Sequence, residues 1–262
     1  MRVLVTGASR GIGRAICMRL AEAETKDGSR SLRVAACASA HPDELDSLIV
    51  ALRKMGTEAV PMFGDLEQQD APERLVEQAV EQFGGLDALV SNAGIGIPAT
   101  LLDLTADSWN RLFDINVRAT WLLAKAAHPA LVESRGSIVT IGSMSGVEPQ
   151  PGMGAYSVSK AAIIMLTRLM AQEWGHDGIR VNCVSPGMVL TPMTEKAYAD
   201  ADFKARREAM VPVGRLADPA CDIAGIVAFL LSKDAAYVTG QNVVADGGMT
   251  DSVLRLLPVR RS

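Results

Sequence analysis

The sequence predicts one α/β domain, a doubly wound parallel sheet of about seven strands with helices on both faces. Three observations carry that prediction. Aliphatic and β-branched runs alternate with helix-periodic segments along nearly all 262 residues. A glycine turn, "TGASRGIG", joins the first such run to the first helical segment. Aromatic residues make up only 4% of the chain, so the core must be built from Ala, Val, Leu, Ile and Met, the material of helices packed on a buried parallel sheet.

Each element follows from its local pattern. "RVLVTG" is a short strand, and "GIGRAICMRLAEAE" continues as a helix with Ile12, Ile16, Leu20 and Ala23 at helical spacing. After a hydrophilic loop around Gly28 come strand "LRVAACAS", helix "PDELDSLIVALRKMG" opened by Pro42, and strand "EAVPMFGDL". Helix "APERLVEQAVEQFG", strand "LDALVSNAG" and one long helix, "ADSWNRLFDINVRATWLLAKAAHPALV", follow. The chain then alternates strand "GSIVTIGSMSG", helix "AYSVSKAAIIMLTRLMAQEWG", strand "IRVNCVSPG", helix "PACDIAGIVAFLLS" and a last strand "GQNVVADGG". Only residues 190–215 interrupt the rhythm, with a long charged, Ala- and Met-rich connection of the kind that forms substrate lids. With no linker or repeat, residues 1–262 read as a single domain with a lid at about 190–212.

Composition narrows the function classes. A net charge of -4 gives no electrostatic reason for a nucleic-acid or anionic-membrane partner, and the only basic cluster is Arg255, Arg260 and Arg261 at the tail. Cys17, Cys37, Cys183 and Cys221 form no Cys-x-x-Cys pair and read as small core residues of a reducing compartment. His41, His128 and His176 show no metal-ligand spacing, so no metal site is expected. No apolar run approaches the ~20 residues that span a bilayer, and "MRVLVTGAS" is too short an apolar start for a secretory signal. These features predict a cytoplasmic protein.

Gly7, Gly11 and Gly13 sit between a strand and a helix, where residues without Cβ let backbone N–H groups approach a pyrophosphate at the positive end of the helix. A nucleotide site is expected there. "AYSVSKAAI" places Tyr156 and Lys160 four positions apart, on one face if the stretch is helical, so their polar ends can converge on one ligand. Asn116 falls in the middle of the long helix, where asparagine is a poor choice unless its side chain has a task.

The order of these motifs resembles the short-chain dehydrogenase/reductase family. The resemblance covers nearly the whole chain: Thr6 to Gly13 in the form Thr-Gly-x-x-x-Gly-x-Gly, Asp65, "SNAG" at 91–94, Asn116, Ser143, Tyr156 with Lys160, Pro186 and Gly187 followed by Thr191, and "DGG" at 246–248. It implies a Rossmann-type fold and catalytic roles for Asn116, Ser143, Tyr156 and Lys160. Tyr156 would be the acid/base; a free phenol has a pKa near 10, and a lysine ammonium one turn away favours its phenolate. Lys160 would also hold the nicotinamide ribose, Ser143 would hydrogen-bond the substrate oxygen, and Asn116 would anchor a water in the proton relay. Ser145 is the rival for Ser143, which is preferred because it directly follows the strand. The implied cofactor contacts are Gly7, Ser9, Arg10, Gly11, Ile12, Gly13, Ser39, Asp65, Leu66, Asn92, Ala93, Gly94, Tyr156, Lys160, Pro186, Gly187, Val189 and Thr191.

The expected cofactor is NADP(H), with NAD(H) as the alternative. The second strand ends "AACASAH" without the Asp or Glu that accepts the ribose 2′-OH of NAD, and Arg10 could pair with a 2′-phosphate. Asp43 and Glu44 stand against this, although acids suit the first turn of any helix. The chain thus reads as a reductase of ketone or 3-oxoacyl carbonyls, similar to 3-oxoacyl-[acyl-carrier-protein] reductases. The alternatives are a NAD-dependent secondary-alcohol, sugar or steroid dehydrogenase, and a non-catalytic dinucleotide sensor. The substrate pocket is expected from residues 145–155, Met188 and the lid, and the resemblance implies a homotetramer joined through the helices at about 107–132 and 155–174.

Overall fold

The alternating runs form seven strands: β1 (Arg2–Thr6), β2 (Arg33–Ala38), β3 (Glu58–Phe63), β4 (Ala88–Ser91), β5 (Ser137–Ile141), β6 (Arg180–Pro186) and β7 (Asn242–Ala245). They pair in parallel in the order β3-β2-β1-β4-β5-β6-β7 in the computed structural model, which describes residues 1–27 and 31–252. The loop around Gly28 and the Arg255, Arg260 and Arg261 cluster lie outside or at the edge of the described residues. Register is set by alternation: Val3 and Val5 of β1 face one side and Leu4 the other, each fully buried. Val3 and Val5 pack with Ile16, Leu45, Leu48, Val227 and Leu230, contributed by helices α1 (Gly11–Asp27), α2 (Pro42–Lys54) and α9 (Gly225–Leu231). Leu4 packs with Leu75, Phe83, Leu123 and Leu131 on α3 (Ala71–Phe83) and α5 (Ala119–Ser134), and with Met170 of α6 (Tyr156–Trp174). Helices on both faces of a sheet buried on both sides are what the near-continuous apolar strands require.

Because β1 pairs with both β2 and β4, the chain direction across the sheet reverses beside β1. A crevice opens at the carboxyl ends of the strands at such a switch point. The glycine turn after β1 and the loops after β4 and β5 therefore meet there.

Two helices differ from the sequence expectation. The long helix is α4 (Ala106–Phe113), a π turn over Asp114–Arg118, and then α5. A π turn accommodates one extra residue and is common at functional sites; here it carries Asn116 inward, 1% exposed. The helix expected at "PACDIAGIVAFLLS" likewise opens with a π turn, Pro219–Ala224, capped by Asp218. The connection at 190–215 contains two helices, α7 (Glu195–Tyr198) and α8 (Ala201–Met210). One composition reading is corrected: Cys17, Cys37 and Cys183 are buried, but Cys221 is exposed, because it falls on the first turn of the 219–224 segment. His128, given no role in the sequence reading, bonds Asp177 through Nε2 at 3.1 Å and lies edge-on to Trp174.

Candidate active site

A cavity of about 430 Å³ runs along the carboxyl ends of the central strands. Its first part is made by the turn after β1. Gly7 has φ +63°, and a Cβ on Gly13 would stand 2.2 Å from the Gly7 carbonyl oxygen, so no side chain fits there. Asn92, just past β4, locks the turn by donating from Nδ2 to the carbonyls of Thr6 (2.9 Å) and Gly7 (3.1 Å). The Thr6 hydroxyl returns the tie by accepting from the Asn92 and Ala93 N–H groups. Ser9, Arg10, Gly11 and Ile12 consequently line the cavity, whereas Gly13 sits behind the turn and does not.

The ends of β2 and β3 form the adjoining wall, with Cys37, Ala38 and Ser39 from one and Gly64, Asp65 and Leu66 from the other. Burial pushes the Cys37 thiol up to about 12, which leaves it a neutral, inert lining group. No carboxylate stands at the end of β2. Arg10 lines the cavity but is not free: its Nε and Nη2 donate to the two oxygens of Glu44 at 2.7 and 2.5 Å. The reading of Glu44 as a mere first-turn acid is therefore incomplete, because its carboxylate is the partner of the one arginine in the glycine turn that faces the cavity.

The opposite end carries hydroxyls and an amine. Ser143 leaves β5, and its Oγ accepts from the Ser145 N–H at 3.1 Å, so its own proton remains available to another acceptor. Ser145 is buried and donates its hydroxyl proton to Gln150 Oε1 at 3.0 Å; it does not line the cavity, and its partner is a side chain rather than the backbone. Tyr156 opens α6 and Lys160 follows one turn later, both on the cavity wall. Lys160 is 5% exposed, donates from Nζ to the Ile141 carbonyl at 2.8 Å, and lies 5.7 Å from the Tyr156 ring centre. Gly94 clears the space between: a Cβ there would stand 3.2 Å from Asn116 Oδ1 and 3.3 Å from Lys160 Nζ.

Asn116 lies behind this wall. Its amide pairs with the backbone of Ile95, accepting from N–H at 2.9 Å and donating to the carbonyl at 3.0 Å, and its Nδ2 also donates to Ser159 Oγ at 3.0 Å. It thereby fastens the loop after β4 to α6. Ser91, the departure from a second asparagine at the head of "SNAG", is bonded to Thr120 Oγ1 at 2.9 Å.

The third wall comes from Pro186 and Gly187 at the end of β6, then Val189 and Thr191. Asp246 backs it: a Cβ on Gly187 would lie 2.6 Å from the Asp246 Cα. The Asp246 carboxylate accepts from the N–H groups of Gly248 (2.9 Å) and Thr250 (2.6 Å) and from the Thr250 hydroxyl. Burial alone would raise its pKa, but these hydrogen bonds outweigh burial and hold it below the usual carboxylate range.

Of the residues expected to be catalytic or to touch the cofactor, all but Gly13 and Asn116 line this cavity. The expected substrate wall differs. No residue of 145–155 and not Met188 lines it; the lid contributes Pro192, Met193 and Thr194. Sequence reasoning also missed Ile95, Arg111, Ile115 and Ile141. Ile141 is the final residue of β5 and was within reach of a strand-end argument, whereas Arg111 and Ile115 arrive through the packing of α4 and its π turn. Among the described residues there is no cluster of groups able to hold a metal, and no helix is long and apolar enough to cross a membrane.

Comparison with known proteins agrees with this arrangement. A family model described as enoyl-(acyl carrier protein) reductase matches residues 7–250. Dehydrogenase/reductase SDR family member 4 of Pongo abelii is 37% identical over 248 residues, covering 94% of this chain and 86% of its own. A short chain dehydrogenase from Burkholderia cenocepacia J2315, solved in complex with NADP, superposes with a TM-score of 0.85 at 35% identity, covering 95% of this chain and 97% of its own. A blue fluorescent protein from a metagenomic library, solved with NADPH, gives 0.85 at 34% identity over 94% of this chain and 96% of its own. With the parallel sheet, the glycine turn and the Ser143, Tyr156 and Lys160 wall, these matches establish that the chain belongs to the short-chain dehydrogenase/reductase family, oxidoreductases acting on CH–OH groups.

Proposed function

We propose that the protein is an NADP(H)-dependent carbonyl reductase, interconverting a ketone or 3-oxoacyl carbonyl and a secondary alcohol. The observation that carries this reading is the meeting of Ser143, Tyr156 and Lys160 on one wall of a cavity whose other end is the glycine turn. The cavity fits a nicotinamide dinucleotide. Bare backbone at Gly7 and Gly11 leaves room for a pyrophosphate, and Gly94 leaves the Lys160 amine open to a ribose. Ser39 and Arg10, with no carboxylate at the end of β2, favour the 2′-phosphorylated form, as do the two relatives solved with NADP and NADPH.

When bound, the cofactor supplies the hydride. The Tyr156 hydroxyl gives its proton to the substrate oxygen, and the free Ser143 proton donates a hydrogen bond to the same oxygen as charge develops there. Lys160, pinned by the Ile141 carbonyl, holds its Nζ beside the Tyr156 ring. Asn116 fixes the distance between the loop after β4 and α6 and thus the floor on which the proton path is built. Pro192 and Met193 of the lid favour a largely apolar substrate.

The test mixes purified protein with NADPH or NADH and a panel of cyclic ketones, sugars and acyl thioesters, following absorbance of the reduced nicotinamide. Oxidation of NADPH by ketones or thioesters is expected. Sugar turnover with NADH supports the dehydrogenase alternative, and binding without any turnover supports a sensor.

The same reading includes a homotetramer and a cytoplasmic location. Trp121 on α5 and Val158, Met165 and Leu169 on α6 are 44–60% exposed, an apolar surface on the two helices through which a second copy would pack. Sedimentation of a clean monomer would refute it. Four free cysteines accord with a reducing compartment.

A further inference from the structure

We propose that Glu44 is a cofactor-specificity residue: a built-in anionic competitor for Arg10 that weakens the preference of the pocket for 2′-phosphorylated dinucleotides. The inference rests on the reading above that Arg10 meets the 2′-phosphate.

The geometry is that of a closed pair. Glu44 takes the Nε and Nη2 edge of Arg10 with both carboxylate oxygens, at 2.7 and 2.5 Å. Arg10 lines the cavity and Glu44 does not, so the carboxylate pairs with the guanidinium from outside the cavity wall. Glu44 is also held in place from its own backbone. Arg14, one turn along α1 from Arg10, donates from Nη1 to the Glu44 carbonyl at 2.9 Å and from Nη2 to Ser47 Oγ at 3.1 Å. Arg10 of the glycine turn and Arg14 of α1 thus grip the first turn of α2, one through the Glu44 side chain and one through its main chain.

Charge decides what this arrangement does. A bidentate Arg–carboxylate pair is neutral as a unit, so the pocket offers a 2′-phosphate no net positive charge unless Arg10 turns from Glu44 or shares its remaining N–H edge. Sharing brings the phosphate dianion near a fixed carboxylate, and turning breaks the pair. NAD(H), which has a 2′-OH, leaves the pair closed and meets neither cost. With side chains 35% and 45% exposed, the pair is a modest obstacle that a phosphate can overcome. The pocket therefore accepts both cofactors, with a preference for NADP(H) smaller than an unopposed arginine would give.

The experiment measures binding of NADPH, NADH, adenosine 2′,5′-bisphosphate and AMP to the full chain by calorimetry, for wild type, Glu44→Gln, Glu44→Ala, Arg10→Ala and the Arg10→Ala/Glu44→Gln double variant. Removing the charge should tighten NADPH and the bisphosphate about fivefold and leave NADH and AMP within about twofold. The gain should vanish in the double variant when compared with Arg10→Ala. Because Arg14 holds the main chain rather than the carboxylate, both single variants at position 44 should fold, and equal melting temperatures check this. Unchanged or weaker NADPH binding in both Glu44 variants, equal tightening of NADPH and NADH, or a gain that survives without Arg10 overturns the proposal. If Arg10→Ala leaves the NADPH to NADH ratio unchanged, the Arg10 reading itself falls, and this inference with it. If Arg10→Ala lowers the ratio while neither Glu44 variant moves it, only the inference falls.

Discussion

The two ends of the cavity are built by opposite means. Around the turn after β1 the site consists of missing side chains: Gly7 and Gly13 approach so closely that a single methyl has no room, and the groups offered to a ligand are backbone N–H. At the β5 and α6 end it consists of side-chain protons with assigned partners. Ser143 keeps its proton free because its oxygen is an acceptor, Lys160 gives one to Ile141, and Ser145 spends its own on Gln150. The first end should fail by steric exclusion, taking fold and binding together. The second should fail by loss of one proton, with the fold untouched.

The sharpest way to break that contrast is Tyr156→Phe, which removes a hydroxyl and keeps the half-buried ring. Turnover should fall by about a hundredfold to ten-thousandfold, with dinucleotide affinity nearly unchanged; wild-type-like turnover would end the assignment. Next comes the serine pair. Ser143→Ala should cost about a hundredfold to a thousandfold in kcat if, as proposed, its free hydroxyl proton meets the substrate oxygen. Ser145→Ala should leave kcat within about threefold, since that hydroxyl is committed to Gln150. Equal losses in the two variants would show that the hydrogen-bond partners do not divide their roles.

At the other end Gly13→Ala tests exclusion. The new methyl would meet the Gly7 carbonyl, which is backbone and cannot rotate away. Destabilisation of about 1–3 kcal/mol should accompany weaker binding of NADPH and NADH alike, read by thermal melts and calorimetry. A stable variant that binds both normally would mean the turn is looser than its geometry implies.

The same contrast explains what was legible in the sequence. The glycine turn and the Tyr156–Lys160 spacing are local: strand, turn and helix periods place them without tertiary information, and the sheet follows from alternation. The partners that give each group its function are not local. Glu44 lies 34 residues from Arg10, and nothing in "PDELDS" separates a first-turn acid from an arginine's partner. The π turn at Asp114–Arg118 is invisible to a periodicity argument because one inserted residue shifts the helical phase without breaking it. Asn116 stands out in the sequence as an ill-suited helix residue, but its pairing with the Ile95 backbone requires the loop after β4 to be in place. Of the segments expected around the substrate, 190–212 reaches the cavity through Pro192, Met193 and Thr194 from beyond β6, whereas residues 145–155 adjoin Ser143 in sequence without lining it.

Asp246 gives the smallest and most particular test, because it joins the two modes of construction. Its backbone closes on Gly187 with no room for a side chain there, as at the glycine turn, while its carboxylate works by accepting hydrogen bonds, as at the β5 and α6 end. Those bonds hold its pKa in the folded chain below the unfolded value of about 3.9, despite the opposing effect of burial. A depressed carboxyl stabilises the fold at pH above its unfolded value, and that contribution is lost as pH falls from about 4 through the lower folded value. Asp246→Asn replaces an acceptor with a group that is half donor, facing the N–H groups of Gly248 and Thr250, so it should cost about 1 kcal/mol near neutrality. The deficit should shrink as the wild type is acidified below pH 4. Asp87, against whose burial Arg2 prevails, and Asp222, drawn down to about 2 by Arg215, also titrate in acid. The difference between variant and wild type, rather than the wild-type curve, therefore isolates Asp246. A deficit that stays constant from pH 7 to pH 3 in denaturant titrations would mean that the carboxylate's charge contributes nothing and that the loop is held by the Gly187 contact alone.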